Sequence, residues 1–236
     1  MNMGFTPPLL DFHNLRVMRG QKVALDDFSL RIGAEEHVAI LGPNGCGKST
    51  LIKTITRECY PVARMDSSMS ILGEESWDVV LSGFFSSISI FSNHIVDPRH
   101  RELANAALAE LKVSHLAERP VCEMSSGEAR RVLIARALVH KPGALLFDEP
   151  CNSLDLSAQQ SLRQTMRALA NSGTAIILVT HELADIVPEI GRVVLMSRGR
   201  VVADGPKEEI LRVERLAKLF GVDVEMARRN GHYHLW

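Results

Sequence analysis

The sequence predicts an α/β fold with a mostly parallel sheet, and three observations carry that expectation. Short β-type apolar runs recur at Val38–Leu41, Ala144–Phe147, Ala175–Val179 and Val193–Met196. Helix-periodic segments, Glu102–Lys112, Gly127–Val139 and Ala158–Ala170, lie between them. Connections of that length let successive strands run the same way, so the alternation implies parallel pairing. The third observation is a glycine-framed loop, GPNGCGKST at 42–50, set between the strand VAIL and the helix-like TLIKTITR.

The remaining segments follow in chain order. Val79 to Val96 is an uncharged run, but it holds five serines, and Phe84, Ile88, Phe91 and Ile95 fall at helical spacing. That pattern predicts a docked or buried amphipathic helix rather than a membrane span. The tail segment VVLMSRGRVVADG reads as a hairpin turning near Arg198 and Gly199, followed by a helix opening at Pro206.

Composition narrows the function classes. With 46% hydrophobic and 23% charged residues over 236 positions, the chain has the make-up of a globular domain, not a disordered or fibrous one. Its 27 basic and 28 acidic residues give a net charge of −1, so no overall basic field draws it to nucleic acid. Cys46, Cys59, Cys122 and Cys151 form no C-x-x-C pair, which suits a reducing compartment. The opening MNMGFTPPLLDF lacks the basic start and long apolar run of a signal peptide. A cytoplasmic chain is expected.

The glycine loop matches G-x-x-x-x-G-K-[ST] at Gly42, Gly47, Lys48 and Ser49, in the strand-to-helix context that a P-loop requires. The glycines let backbone N–H groups turn inward around a phosphate, so Gly42, Pro43, Asn44, Gly45, Cys46, Gly47, Lys48, Ser49 and Thr50 form a candidate nucleotide-binding loop. Lys48 would reach the β and γ oxygens, and the Ser49 hydroxyl would ligate Mg²⁺. Cys46 fits as a small neutral thiol, because a thiolate there would repel the phosphates.

A second element is ALLFDEP, residues 144–150. It places Asp148 and Glu149 at the C-terminal end of a strand, the edge at which ligands bind in such sheets. Asp148 would hold Mg²⁺ through water, and Glu149 would orient and deprotonate an attacking water.

With these residues in view, the chain resembles the ATP-binding cassette (ABC) ATPases, the nucleotide-binding subunits of ABC transporters. MSSGE at 124–128 stands where that family has its signature, followed by ARRVLIARAL; NSLD at 152–155 matches the D-loop, and LVTHE brings His181 to a strand end. The resemblance implies an ABC-type P-loop NTPase core over residues 1–236, with an N-terminal antiparallel β portion and an inserted helical subdomain, roughly 80–123. It further implies that His181 senses the γ-phosphate. Ser125, Ser126, Gly127, Glu128 and Asp155 would act on a nucleotide held by the opposite subunit of a head-to-tail homodimer, or of a pair with a second ABC subunit. Ser125 and Glu128 also spell a capping box, and Asp155 a helix cap; both roles are compatible with the implied one.

The implied function is ATP binding and hydrolysis, with Mg²⁺, that drives transport through separate integral membrane permease subunits on the cytoplasmic face. Two alternatives stand beside it: a soluble ABC ATPase not linked to transport, and a nucleotide-dependent binding module with weak hydrolysis.

Two departures from the family pattern bear on the chemistry. Arg19 stands where an aromatic side chain usually stacks on adenine, which predicts weak selection between ATP and GTP. No glutamine occurs between Gln21 and Gln159, so the family's Q-loop glutamine is missing, and the stretch between Lys48 and Ser125 is shorter than usual. ILGEESWDV and VLSGFF read as pieces joined across that gap.

Overall fold

The computed structural model describes residues 8–55 and 97–236. They divide into two compact units: residues 8–55, 143–152 and 166–236 form the first, and residues 97–142 and 153–165 the second. The amphipathic run 79–96, the joint before it and residues 80–96 of the expected helical subdomain lie outside the described residues.

The first unit is built on a five-stranded sheet ordered β4-β5-β3-β6-β7. Its strands are β3 (Val38–Leu41), β4 (Ala144–Asp148), β5 (Ala175–Thr180), β6 (Arg192–Ser197) and β7 (Arg200–Pro206). β3 pairs in parallel with both β5 and β6, and β4 with β5; only β7 runs antiparallel, as the return arm of the expected hairpin. All residues of VAIL and AIILVT are buried, as expected for strands covered on both faces. β1 (Leu10–Arg19) and β2 (Lys22–Ile32) form the antiparallel portion. Its register slips between Phe12 and Leu15, where Asn14 takes φ 49° and ties to Ser29.

The core of this unit is laid down by β2. Leu25, Phe28, Leu30 and Ile32 pack with Ile40, Leu51, Ile177, Val179 and Val194, all under 6% exposed. Burying such side chains stabilises by about 1.5–3 kcal/mol each against exposure. Helix α1 (Lys48–Ile55) turns Leu51 and Ile52 into that core.

The second unit holds helices α2 (Pro98–Glu110) and α3 (Ser126–Leu138). α2 starts four residues earlier than the periodicity predicts, because the Asp97 carboxylate caps the His100 N–H at 2.8 Å and Pro98 suits the first turn. It ends short of Lys112, whose φ of 57° is left-handed. Helix α4 (Leu156–Asn171) belongs to the second unit up to residue 165 and to the first beyond it. The expected helix at Pro206 is only the single turn α5 (Lys207–Ile210), followed by α6 (Val213–Phe220), which the sequence reading did not anticipate. A terminal hairpin, β8 (Met226–Arg229) and β9 (His232–Leu235), was likewise unforeseen.

Among the described residues no helix is long and apolar enough to cross a membrane.

Candidate nucleotide-binding site

The parallel register brings three strand ends to one edge. Leu41 of β3 pairs with Thr180 of β5, and Asp148 of β4 with Val179. The glycine loop, the Asp148–Glu149 pair and His181 therefore leave neighbouring strands at the C-terminal edge of the sheet, where the doubly wound topology opens a crevice.

The loop leaves no room for side chains at its framing glycines. A Cβ on Gly42 would overlap the Met196 carbonyl oxygen, and Gly47, at φ 113°, would place one 2.9 Å from the Ala24 carbonyl oxygen. The turn of the β6–β7 hairpin holds the loop from behind: the Gly199 N–H donates to the Cys46 carbonyl at 2.7 Å. The first N–H groups of α1 have no acceptor within the helix, so they supply the anion site that the loop frames. Asn44, Gly45 and Ser49 are exposed there, while Pro43 and Thr50 are half-buried. Burial pushes the Cys46 thiol above its ordinary value, against a smaller opposing pull from Lys48, so it is the neutral thiol the loop tolerates.

Lys48 is 6% exposed. Its Nζ donates to the Gly42 carbonyl at 2.8 Å and the Pro43 carbonyl at 3.2 Å, and lies 3.5 Å from Glu149 Oε1. The same Oε1 lies 3.2 Å from His181 Nδ1, a buried atom with no aligned hydrogen bond among the described residues. Glu149 takes a left-handed φ of 42°, and its N–H donates to the Val179 carbonyl at 2.8 Å. This backbone turn carries the carboxylate between lysine and histidine.

His181 is positioned by groups that sequence reasoning missed. The Thr180 hydroxyl, 1% exposed, donates to Asp185 at 3.3 Å and accepts from the Glu182 N–H at 3.0 Å. A Thr and an Asp five residues apart carry no signal by themselves; only the strand end makes them partners.

Ser49 lies in the first turn of α1 and Asp148 ends β4, both exposed, and both offer hard oxygen donors of the kind Mg²⁺ takes. Among the described residues no cluster of three His, Cys, Asp or Glu could hold a metal by itself. A site completed by substrate phosphates fits that donor set.

Ser125, Ser126, Gly127, Glu128 and Asp155 belong to the second unit and gather there. Ser125 caps α3 with both halves of a capping box: its Oγ accepts from the Glu128 N–H at 3.3 Å, and Glu128 Oε2 accepts from the Ser125 N–H at 2.8 Å. These bonds, the backbone one foremost, hold the Glu128 carboxyl below its usual range. Asp155 caps α4 through the Ala158 N–H at 2.8 Å. A Cβ on Gly127 would stand 2.9 Å from the Ala158 Cβ, so only glycine lets the two helix starts approach this closely. Two capped N-termini of long helices thus open on one polar recess of about 320 Å³, with Arg131 at its wall.

Comparison with known proteins agrees with this geometry. The family profile described as ABC transporter matches residues 25–152. The hemin import ATP-binding protein HmuV of Bradyrhizobium diazoefficiens is 31% identical, the match covering 94% of this chain and 92% of that protein. The spermidine/putrescine import ATP-binding protein PotA of Haemophilus influenzae is 29% identical over 86% of this chain, which spans 59% of PotA. A solved nucleotide-free ATP-binding cassette from an ABC transporter superposes with a TM-score of 0.79 at 23% identity, covering 90% of this chain and 97% of its own. The chain belongs to the ABC transporter family, as one of its ATP-binding, ATP-hydrolysing subunits.

Proposed function

We propose that this subunit drives an importer, working as a head-to-tail pair beneath separate permease subunits on the cytoplasmic face of the membrane. The observation that carries the chemistry is the Lys48–Glu149–His181 arrangement, with Glu149 Oε1 within 3.5 Å of the lysine and 3.2 Å of the histidine. The import direction rests on relatives that are named import ATP-binding proteins.

In this reading Gly42–Thr50 cradles the ATP phosphates, and Lys48 exchanges its carbonyl partners for phosphate oxygens. Ser49 and Asp148 would hold Mg²⁺, which neutralises charge on the β and γ oxygens. Glu149 orients and deprotonates water, and His181 holds Glu149 in place and reads the γ-phosphate. Ser125, Ser126, Gly127 and Glu128 present the start of α3 to the nucleotide of the opposite subunit, with Asp155 beside them.

The test uses Glu149→Gln, which keeps the shape and removes the base. Light scattering after size exclusion should show an ATP-dependent dimer, absent in Glu149→Gln/Ser125→Arg. A monomer at saturating ATP would leave the capping box with a structural role alone and defeat the proposal.

One observation favours a second reading, a nucleotide-dependent binding module that hydrolyses weakly: the lack of any glutamine between Gln21 and Gln159. The two readings separate on turnover, as set out below.

A further inference from the structure

We propose that the first unit carries a second ligand site, for a small carboxylate with an apolar body, in the groove where α6 meets the β6–β7 hairpin. The groove is half open to solvent and offers about 470 Å³, a volume suited to a small molecule. Leu195, Ala203 and Leu219 make its floor apolar, and Val202 at the rim is 56% exposed although it is a valine on an edge strand.

The charge around the groove selects the head group. Arg215 and Lys218 stand three residues apart on α6, hence on one side of the helix, both exposed and with no ion pair among the described residues. The carboxylate in the lining, Asp204, is already taken: Arg192 Nε and Nη2 donate to its two oxygens at 2.7 and 2.6 Å. The net offer to a ligand is two cations over an apolar floor. A carboxylate head gains charge-assisted hydrogen bonds from them, and an aliphatic body gains from leaving water.

The groove shares its hairpin with the phosphate loop. Leu195 and Ser197 line it, while Met196 between them packs its carbonyl on Gly42 and the hairpin turn holds Cys46 through Gly199. A ligand that braces this hairpin acts on the rear support of the nucleotide loop, so its binding and that of ATP are linked, each altering the other's affinity by the same factor.

Octanoate is the probe, with octylammonium as the opposite-charge control. Methyl resonances of Leu195, Val202 and Leu219 should shift saturably with octanoate, with a Kd below about 1 mM, in protein without nucleotide. Octylammonium should leave them unmoved, and Arg215→Glu/Lys218→Glu, which breaks no hydrogen bond or ion pair among the described residues, should weaken octanoate at least about tenfold. The affinity of a fluorescent ATP analogue should then change at least about twofold with saturating octanoate, by the same linkage. Equal shifts with both amphiphiles, unchanged binding in the double variant, or octanoate binding that leaves ATP affinity untouched would each overturn the proposal. So would shifts at these methyls that follow protein concentration without octanoate, which would make a second copy of the chain the occupant. The first arm needs no ATP, so its outcome is independent of the nucleotide reading.

Discussion

Lys48 and Glu149 meet across the crevice at 3.5 Å, a cation from the helix after β3 facing an anion from the end of β4. Lys48 is no ordinary surface charge, since it is 6% exposed and its ammonium is otherwise held by loop carbonyls.

Lys48→Ala removes the charge that would meet the phosphates. Charge-assisted hydrogen bonds contribute about 1.5–3 kcal/mol, which corresponds to roughly ten- to a hundredfold in affinity. Titration with a fluorescent ATP analogue should show a loss of that size; equal affinity in wild type and variant would remove Lys48 from the site.

The capping box predicts a specific pH dependence. The Glu128 carboxyl is held below its usual range in the folded chain, so its contribution is present above the unfolded value and fades as pH falls through the folded one. Glu128→Gln retains a capping side chain but not the charge. The Tm difference between wild type and Glu128→Gln should be largest near neutrality and vanish in acid, below the carboxylate range. A difference that grows as pH falls would contradict the assignment.

Arg19 ends β1 at the exposed tip of the hairpin, paired with Lys22. The same hairpin reaches the phosphate loop, where Ala24 backs Gly47. A guanidinium stacks on either purine, so competition experiments should place GTP within about tenfold of ATP, a gap of about 1.4 kcal/mol. A larger preference for ATP would show that the base is read elsewhere.

The absent Q-loop glutamine sets an expectation for turnover. Loss of one positioned polar group at a phosphoryl-transfer site costs on the order of 10² to 10³ in rate while leaving nucleotide binding largely intact. Steady-state phosphate release should therefore be slow, and should rise when about thirty residues of a family Q-loop segment are inserted after Val79. Equal, robust turnover by both forms would show that the gap is silent, and would also exclude the binding-module reading.

The features that were legible in the sequence are those in which local chemistry and tertiary role coincide. Gly42 and Gly47 announce a tight loop, which the structure shows has no room for a Cβ at either position, and β3 and β5 announce themselves because strands buried on both faces read as unbroken apolar runs. Glu149 could be read as a carboxylate at a strand end, but its left-handed turn could not, since the hydrogen bond to Val179 that holds it comes from another strand. Helix α6 was missed because a charged eight-residue segment is marginal until Leu216 is buried. The β8–β9 hairpin, with Arg228 over Tyr233, depends likewise on cross-strand contact rather than on a long apolar alternation.

With Glu149 as the proposed base, its left-handed backbone would set durability against activity. Glycine reaches φ 42° freely, whereas an ordinary side chain there costs about 1–2 kcal/mol. A library of variants at this position, sorted for heat survival alone, would drift towards glycine or asparagine and discard the carboxylate. Sorted for turnover, it would return to glutamate despite the strain. The residue found at 149 in any evolved descendant would thus record which of the two pressures had acted on it.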